Sequence, residues 1–309
     1  MALGKIDTHQ HFFPKVYVDA VGMDVLAAQM PNKRAPEWSP ERAIAMMDET
    51  GIAEGILSVS SVPLIADPAR VVRGCNEAAA DLGEKHPGRF GAFASLPLPD
   101  IDASLAEAAY ALDTLKADGF IVFTSYAGAY LGDERFTPLW EELDRRRAVV
   151  LIHPNEPSYE LPTVAAASVL EFPFETTRTA TSLIIAGVLT RFPSIRFILS
   201  HAGGALPFLF PRVSLCLQMM PGVIDRIGDP VTAFRAFYYD TALAAGPATF
   251  AALAQVADPS HILFGTDFPM APDFGIKAFG VALEALDAPG LSRTAIYRDN
   301  AAVLLGREI

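Results

Sequence analysis

The chain has 309 residues, 51% of them hydrophobic, so a core of useful size is available, and α/β barrels of this length occur as one unit. A formal charge of −12 and a pI near 4.9 argue against nucleic acid as a partner, since such proteins carry a basic stripe. Two cysteines, Cys75 and Cys216, lie in helical patterns, which speaks against a disulfide framework and for a reducing compartment. No apolar run reaches the ~18 residues of a membrane span. The first residues lead straight into a strand without the basic and apolar regions of a signal peptide. A cytoplasmic protein that binds no membrane is expected.

In chain order, apolar runs of strand length are read at 5–9, 53–59, 90–96, 119–124, 149–153, 196–201, 236–240 and 261–266. Several are almost continuously apolar, as in Val149-Val150-Leu151-Ile152, which suits parallel strands covered on both faces. Helices are read between them. Ser39-Pro40 and Asp67-Pro68 each combine an N-cap side chain with proline at the first helical position. Further helical segments are expected at 136–147, 176–191, 246–257 and 275–288. Eight strands alternating with helices predict a (β/α)8 TIM barrel, a single domain over residues 1–309. An open doubly wound sheet would carry a glycine-rich turn after its first strand; here that strand ends in His9-Gln10-His11. Residues 16–37 read as an irregular insertion after strand one, on the side where barrel loops line the active site.

His9 and His11 are two apart on a strand, so their imidazoles share a face. His153 and His201 end two further strands, and Asp267 follows the last one. In a parallel barrel these ends open on one face, so the five groups converge. Imidazoles with a carboxylate suit zinc and neighbouring divalent ions, leaving a position for substrate. Either His153 or His201 completes the ligand set, and the other is then a natural acid/base group; residue order alone leaves both assignments open. His86 and His261 read as structural.

Ile6-Asp-Thr-His-Gln-His11, Ile152-His-Pro154, Ser200-His-Ala-Gly-Gly-Ala-Leu-Pro-Phe208, Gly265-Thr-Asp-Phe-Pro269 and Asn300-Ala-Ala-Val-Leu-Leu-Gly306 resemble the amidohydrolase-2 branch of the amidohydrolase superfamily. The subgroup most similar is the metal-dependent, O2-independent decarboxylases acting on muconate semialdehydes, γ-resorcylate and 6-methylsalicylate. Pro173-Phe-Glu-Thr-Thr177 and Phe123-Thr-Ser-Tyr-Ala-Gly-Ala-Tyr-Leu-Gly132 fit as well, the latter most like the 6-methylsalicylate type. The resemblance implies His9, His11, His153 and Asp267 as ligands of Zn2+ or Mn2+, and His201 as the catalytic histidine. It suggests Arg34 as a carboxylate binder. Arg212 corresponds to an arginine that reaches a neighbouring subunit's site, which implies a homodimer or higher homo-oligomer. Tyr126 and Phe174, within or beside the matching segments, are taken as substrate contacts. Met220 stands where the muconate-semialdehyde enzymes hold a second arginine, which favours a substrate with one carboxylate.

The expected reaction is non-oxidative decarboxylation of a small hydroxy-aromatic, salicylate-type acid, with Asp267 delivering a proton to the ring and His201 orienting. The alternative is hydrolysis of a lactone or amide, or hydration of an unsaturated acid, with His201 as general base.

Overall fold

The computed structural model describes residues 4–61, 65–159 and 164–308. Eight parallel strands lie side by side in chain order: β1 (Lys5–His11), β2 (Ile52–Ser58), β3 (Phe90–Ser95), β4 (Gly119–Phe123), β5 (Val149–His153), β6 (Arg196–Leu199), β7 (Tyr238–Asp240) and β8 (Ile262–Leu263). The ring closes between β1 and the chain leaving β8. Thr8 and His11 donate their N–H groups to the carbonyls of Phe264 (3.0 Å) and Phe268 (2.6 Å), and Asp267 donates its own to His9 (2.8 Å). This is a (β/α)8 barrel with an insertion after its first strand.

The long crossover helices are α3 (Pro40–Thr50), α4 (Pro68–Lys85), α5 (Ile101–Asp113), α6 (Thr137–Arg145), α7 (Ala167–Ile185), α9 (Leu206–Met219), α12 (Pro247–Val256) and α13 (Asp273–Glu284). Shorter pieces are α1 (Lys15–Val21), α2 (Met23–Gln29), α8 (Val188–Arg191), α10 (Val223–Ile227), α11 (Pro230–Arg235) and α14 (Asn300–Leu305). Ser39 and Asp67 cap α3 and α4 by accepting the N–H of Arg42 and Arg70, as their sequence predicts. The strands bury both faces: Ile121, Leu151 and Ile198 lie in register on one, and Phe120 on the other, all fully buried.

Three expectations are corrected. Residues 16–37 are not irregular throughout: α1 and α2 bury Tyr17, Val21 and Leu26, with Gly22 at φ 83° turning the chain between them. Helices α5 and α9 occupy crossovers for which the sequence reading gives no helix bounds, although Cys216 in α9 falls in a helical pattern. Helix α7 begins at Ala167, ahead of Pro173, where proline would ordinarily end a helix. No helix among the described residues is long and apolar enough to cross a membrane.

Candidate metal centre and active site

The closing seam brings the distant groups together. His9 and His11 lie on β1, where the register with β2 shifts between Asp7 and Gln10; such a bulge re-aims side chains locally. Asp267 follows β8 and is tied to His9 through the backbone. Gly265 lets the two segments approach, since a Cβ there would meet the His9 Cβ at 3.0 Å. His153 ends β5, and His201 lies two residues beyond β6.

His9 and His11 present their Nε2 atoms to each other at 3.1 Å, and His11 and His153 present theirs at 3.2 Å. Asp267 Oδ1 lies 3.1 Å from His11 Nε2 and 3.3 Å from His9 Nε2. Asp267 Oδ2 faces the other way, 3.5 Å from His201 Nε2. His9, His153, His201 and Asp267 also offer ligand atoms within 4.8 Å of one another. The shorter distances run through His11 instead, so we group His9, His11, His153 and Asp267 Oδ1 together and set His201 against the other carboxylate oxygen.

Behind this cluster stands a residue that reading the sequence missed. Asp240, fully buried at the end of β7, has Oδ2 2.7 Å from His9 Nδ1. Its Oδ1 accepts the N–H groups of His201 (2.8 Å) and Ala242 (3.0 Å). A carboxylate on Nδ1 makes that nitrogen the donor and leaves Nε2 with a lone pair for the cluster. Asp240 sat in view as a strand-end aspartate, the same signal that picked out His153. On the other side Ser58 Oγ lies 3.2 Å from His11 Nδ1. Three imidazole nitrogens facing one another with a carboxylate oxygen form a donor set that fits Zn2+ or Mn2+.

Burial opposes charge on His9, but the Asp240 and Asp267 carboxylates override it and raise its pKa to about 10 in the protein alone. Burial pushes His11 down and His153 far down, which keeps their rings neutral and able to ligate. Burial alone would raise Asp267; the imidazoles of His11, His201 and His9 outweigh it and hold the carboxyl well below its usual range.

His201, Ala202 and Asp267 adopt φ of 54°, 56° and 63°. This left-handed backbone costs about 1–3 kcal/mol per residue and persists where the surroundings impose it. Here Asp240 holds the His201 N–H. Gly204, at φ 63°, packs where any Cβ would collide with the Pro173 carbonyl.

His153, His201 and Asp267 line a cavity of about 520 Å³. Its walls are mainly apolar, with Met30, Val169, Phe172, Leu243, Met270 and Phe274, and no lysine or arginine among the described residues lines it. A larger cleft of about 830 Å³ between α4, α5 and β3 contains none of these histidines, so the chemistry belongs to the smaller one.

The remaining expected contacts are placed as follows. Arg34 is exposed, two residues after the cavity-lining Asn32. Arg212 is exposed on α9. Tyr126 is buried: its hydroxyl accepts the Phe123 N–H at 2.8 Å and its ring packs against Phe123 and Phe136. The helical phase of α7 turns Phe172 and Pro173 to the cavity, and Phe174 is 39% exposed outside the lining.

The chain is 40% identical over 321 residues to a 6-methylsalicylic acid decarboxylase of Aspergillus aculeatus, covering 98% of this chain and 96% of that one. A solved amidohydrolase II shares 30% identity and superposes with a TM-score of 0.88 over 98% of this chain and 100% of its own. A dihydroxybenzoic acid decarboxylase of Polaromonas, solved with manganese and the inhibitor 2-nitroresorcinol, shares 25% identity with a TM-score of 0.80, over 98% of this chain and 97% of that one. The amidohydrolase family profile matches residues 6–307. Carried by a match that begins at the first strand and runs to the last helix, the conclusion is that this chain belongs to the amidohydrolase family.

Proposed function

We propose that the chain is a metal-dependent, non-oxidative decarboxylase of a small hydroxy-aromatic acid of the methylsalicylate type. The observation that carries this reading is the division of Asp267: one oxygen toward the His9 and His11 imidazole nitrogens, the other toward His201. His9, His11, His153 and Asp267 hold the ion, Zn2+ or Mn2+. When bound, such an ion supplies a Lewis acid that polarises a substrate oxygen.

The chain's own groups do the rest. His201 Nε2 passes a proton to Asp267 Oδ2, which delivers it to the ring carbon bearing the carboxylate. The bond from that carbon to the carboxylate then breaks. Its electron pair restores the ring, CO2 leaves, and the proton remains on the product. The apolar wall suits a flat ring with an alkyl substituent and one carboxylate. Arg34 draws that carboxylate in.

The protein works as a homodimer or higher homo-oligomer in the cytoplasm. In support, α9 exposes Phe208 (81%), Leu215 (60%) and Met219 (77%) on either side of Arg212, an apolar surface of the kind that marks interfaces. Cys75 and Cys216 are both unpaired.

The deciding experiment incubates the metal-loaded protein with 6-methylsalicylate and related hydroxybenzoates and measures CO2. Release from at least one is expected. Silence with all of them, alongside turnover of a lactone or an unsaturated diacid, would replace the decarboxylase by a hydrolase or hydratase.

A further inference from the structure

Helix α7 supplies one wall of the cavity through Ser168, Val169, Phe172 and Pro173. Proline has no N–H to give, so the helical ladder is interrupted between this wall and the rest of α7. Ties from outside the ladder hold the wall in place. Ser168 Oγ donates to the Gln29 carbonyl at 2.6 Å. Thr177 Oγ1 donates to the Pro173 carbonyl at 2.8 Å and accepts the Ala205 N–H at 2.9 Å, in the turn after His201.

The next turns of α7 bind the loops after β4 and β5. Glu175, Thr179 and Ser182 stand at i, i+4 and i+7, on one helical face. Glu175 Oε1 accepts the Tyr130 hydroxyl at 3.0 Å, Thr179 Oγ1 the Leu131 N–H at 3.3 Å, and Ser182 Oγ the Gly132 N–H at 3.1 Å. This fastens the small hairpin (Ser125–Tyr126 with Ala129–Tyr130) that follows β4. The same Glu175 Oε1 accepts the Tyr159 hydroxyl at 2.9 Å, from the loop after β5, the strand that ends in His153. Arg178 lies 3.4 Å from that oxygen, with its guanidinium 5.3 Å from the Tyr159 ring centroid. Glu175 is 1% exposed, and its bonds to the two hydroxyls are partly buried and charge-assisted.

We propose that Glu175 is a positioning residue: one buried carboxylate registers the loops after β4 and β5 against the helix that walls the cavity, and thereby sets how closely the cavity grips its ring. Glu175 is not part of the lining and acts through Phe172 and Pro173. Only the kinetic arm of the test rests on the decarboxylase reading.

The test compares Glu175→Ala, Glu175→Gln and the double variant Tyr130→Phe/Tyr159→Phe. Glutamine keeps an oxygen that accepts both hydroxyls. Hydrogen exchange at the Leu131 and Gly132 amides is expected to speed up on the order of tenfold in the alanine and double variants, and to stay near wild type with glutamine. With methylsalicylate, KM is expected to rise on the order of tenfold in the alanine variant, with kcat within about twofold, metal content unchanged and rescue by glutamine. If the alanine variant does not fold, the tyrosine double variant carries the test. Wild-type exchange and KM in that double variant overturn the proposal, as does a KM defect that glutamine fails to rescue. A wild-type enzyme that releases no CO2 refutes the decarboxylase reading instead, and the exchange measurement then decides the positioning role alone.

Discussion

Asp240 Oδ2 lies 2.7 Å from His9 Nδ1, with both side chains fully buried. The two residues are 231 positions apart. This pairing orients the ring and sets its tautomer, which is what an outer carboxylate does for a ligating histidine. Asp240→Asn should therefore weaken metal affinity about 10–100-fold, read by titration against a competing chelator. An unchanged dissociation constant would remove Asp240 from the metal centre.

The split at Asp267 separates two classes of variant. His9→Ala and Asp267→Ala should lose bound metal and activity together. His201→Ala should keep its metal and lose turnover by about 10²–10⁴-fold, the usual worth of a positioned acid/base group. Elemental analysis decides: full metal in the first two, or none in the third, reverses the assignment.

Arg34→Met should raise KM for the acid while leaving kcat nearly unchanged, because this arginine attracts the carboxylate before chemistry begins. An unaltered KM would make Arg34 an ordinary solvated arginine.

Asp7 is fully buried and accepts bonds from Thr266, Gln10 and the His9 N–H. Burial wins over those bonds and lifts its pKa from 3.8 to about 6. The native state then holds a proton that the unfolded chain releases between these values. The Asp7 contribution is complete below pH 3.8 and fades as pH rises through about 6, by about 3 kcal/mol at 1.36 kcal/mol per unit. Urea unfolding from pH 4 to 7 should show this slope in the wild type and a flatter one in Asp7→Asn. Equal slopes would contradict it.

Phe208→Asp should shift the protein to monomer, since a charge in an apolar interface is costly. Sedimentation velocity measures this directly. A monomeric wild type, or a variant that sediments like an oligomeric one, would remove α9 as an interface.

Much of the barrel was legible in the chain because its cause is local. Apolar runs alternating with capped helices are a short-range pattern, and parallel strands put their carboxyl ends on one face wherever they occur. That is why His9, His11, His153, His201 and Asp267 can be gathered from the sequence. Helices α1 and α2 escaped because their buried positions are few and make sense only against the neighbours that cover them.

The sequence by itself determined the fold class and the five convergent groups, since both follow from periodicity and strand order. The family resemblance implies how those groups divide, and only the tertiary structure supplies the distances between them. The closing seam of the barrel points Asp267 Oδ1 at His9 and His11 and Oδ2 at His201, and it delivers Asp240 to the back of His9. It also turned Tyr126 into the core and Phe174 out of the cavity, because a side chain's direction depends on helix phase and on packing partners far away in the chain.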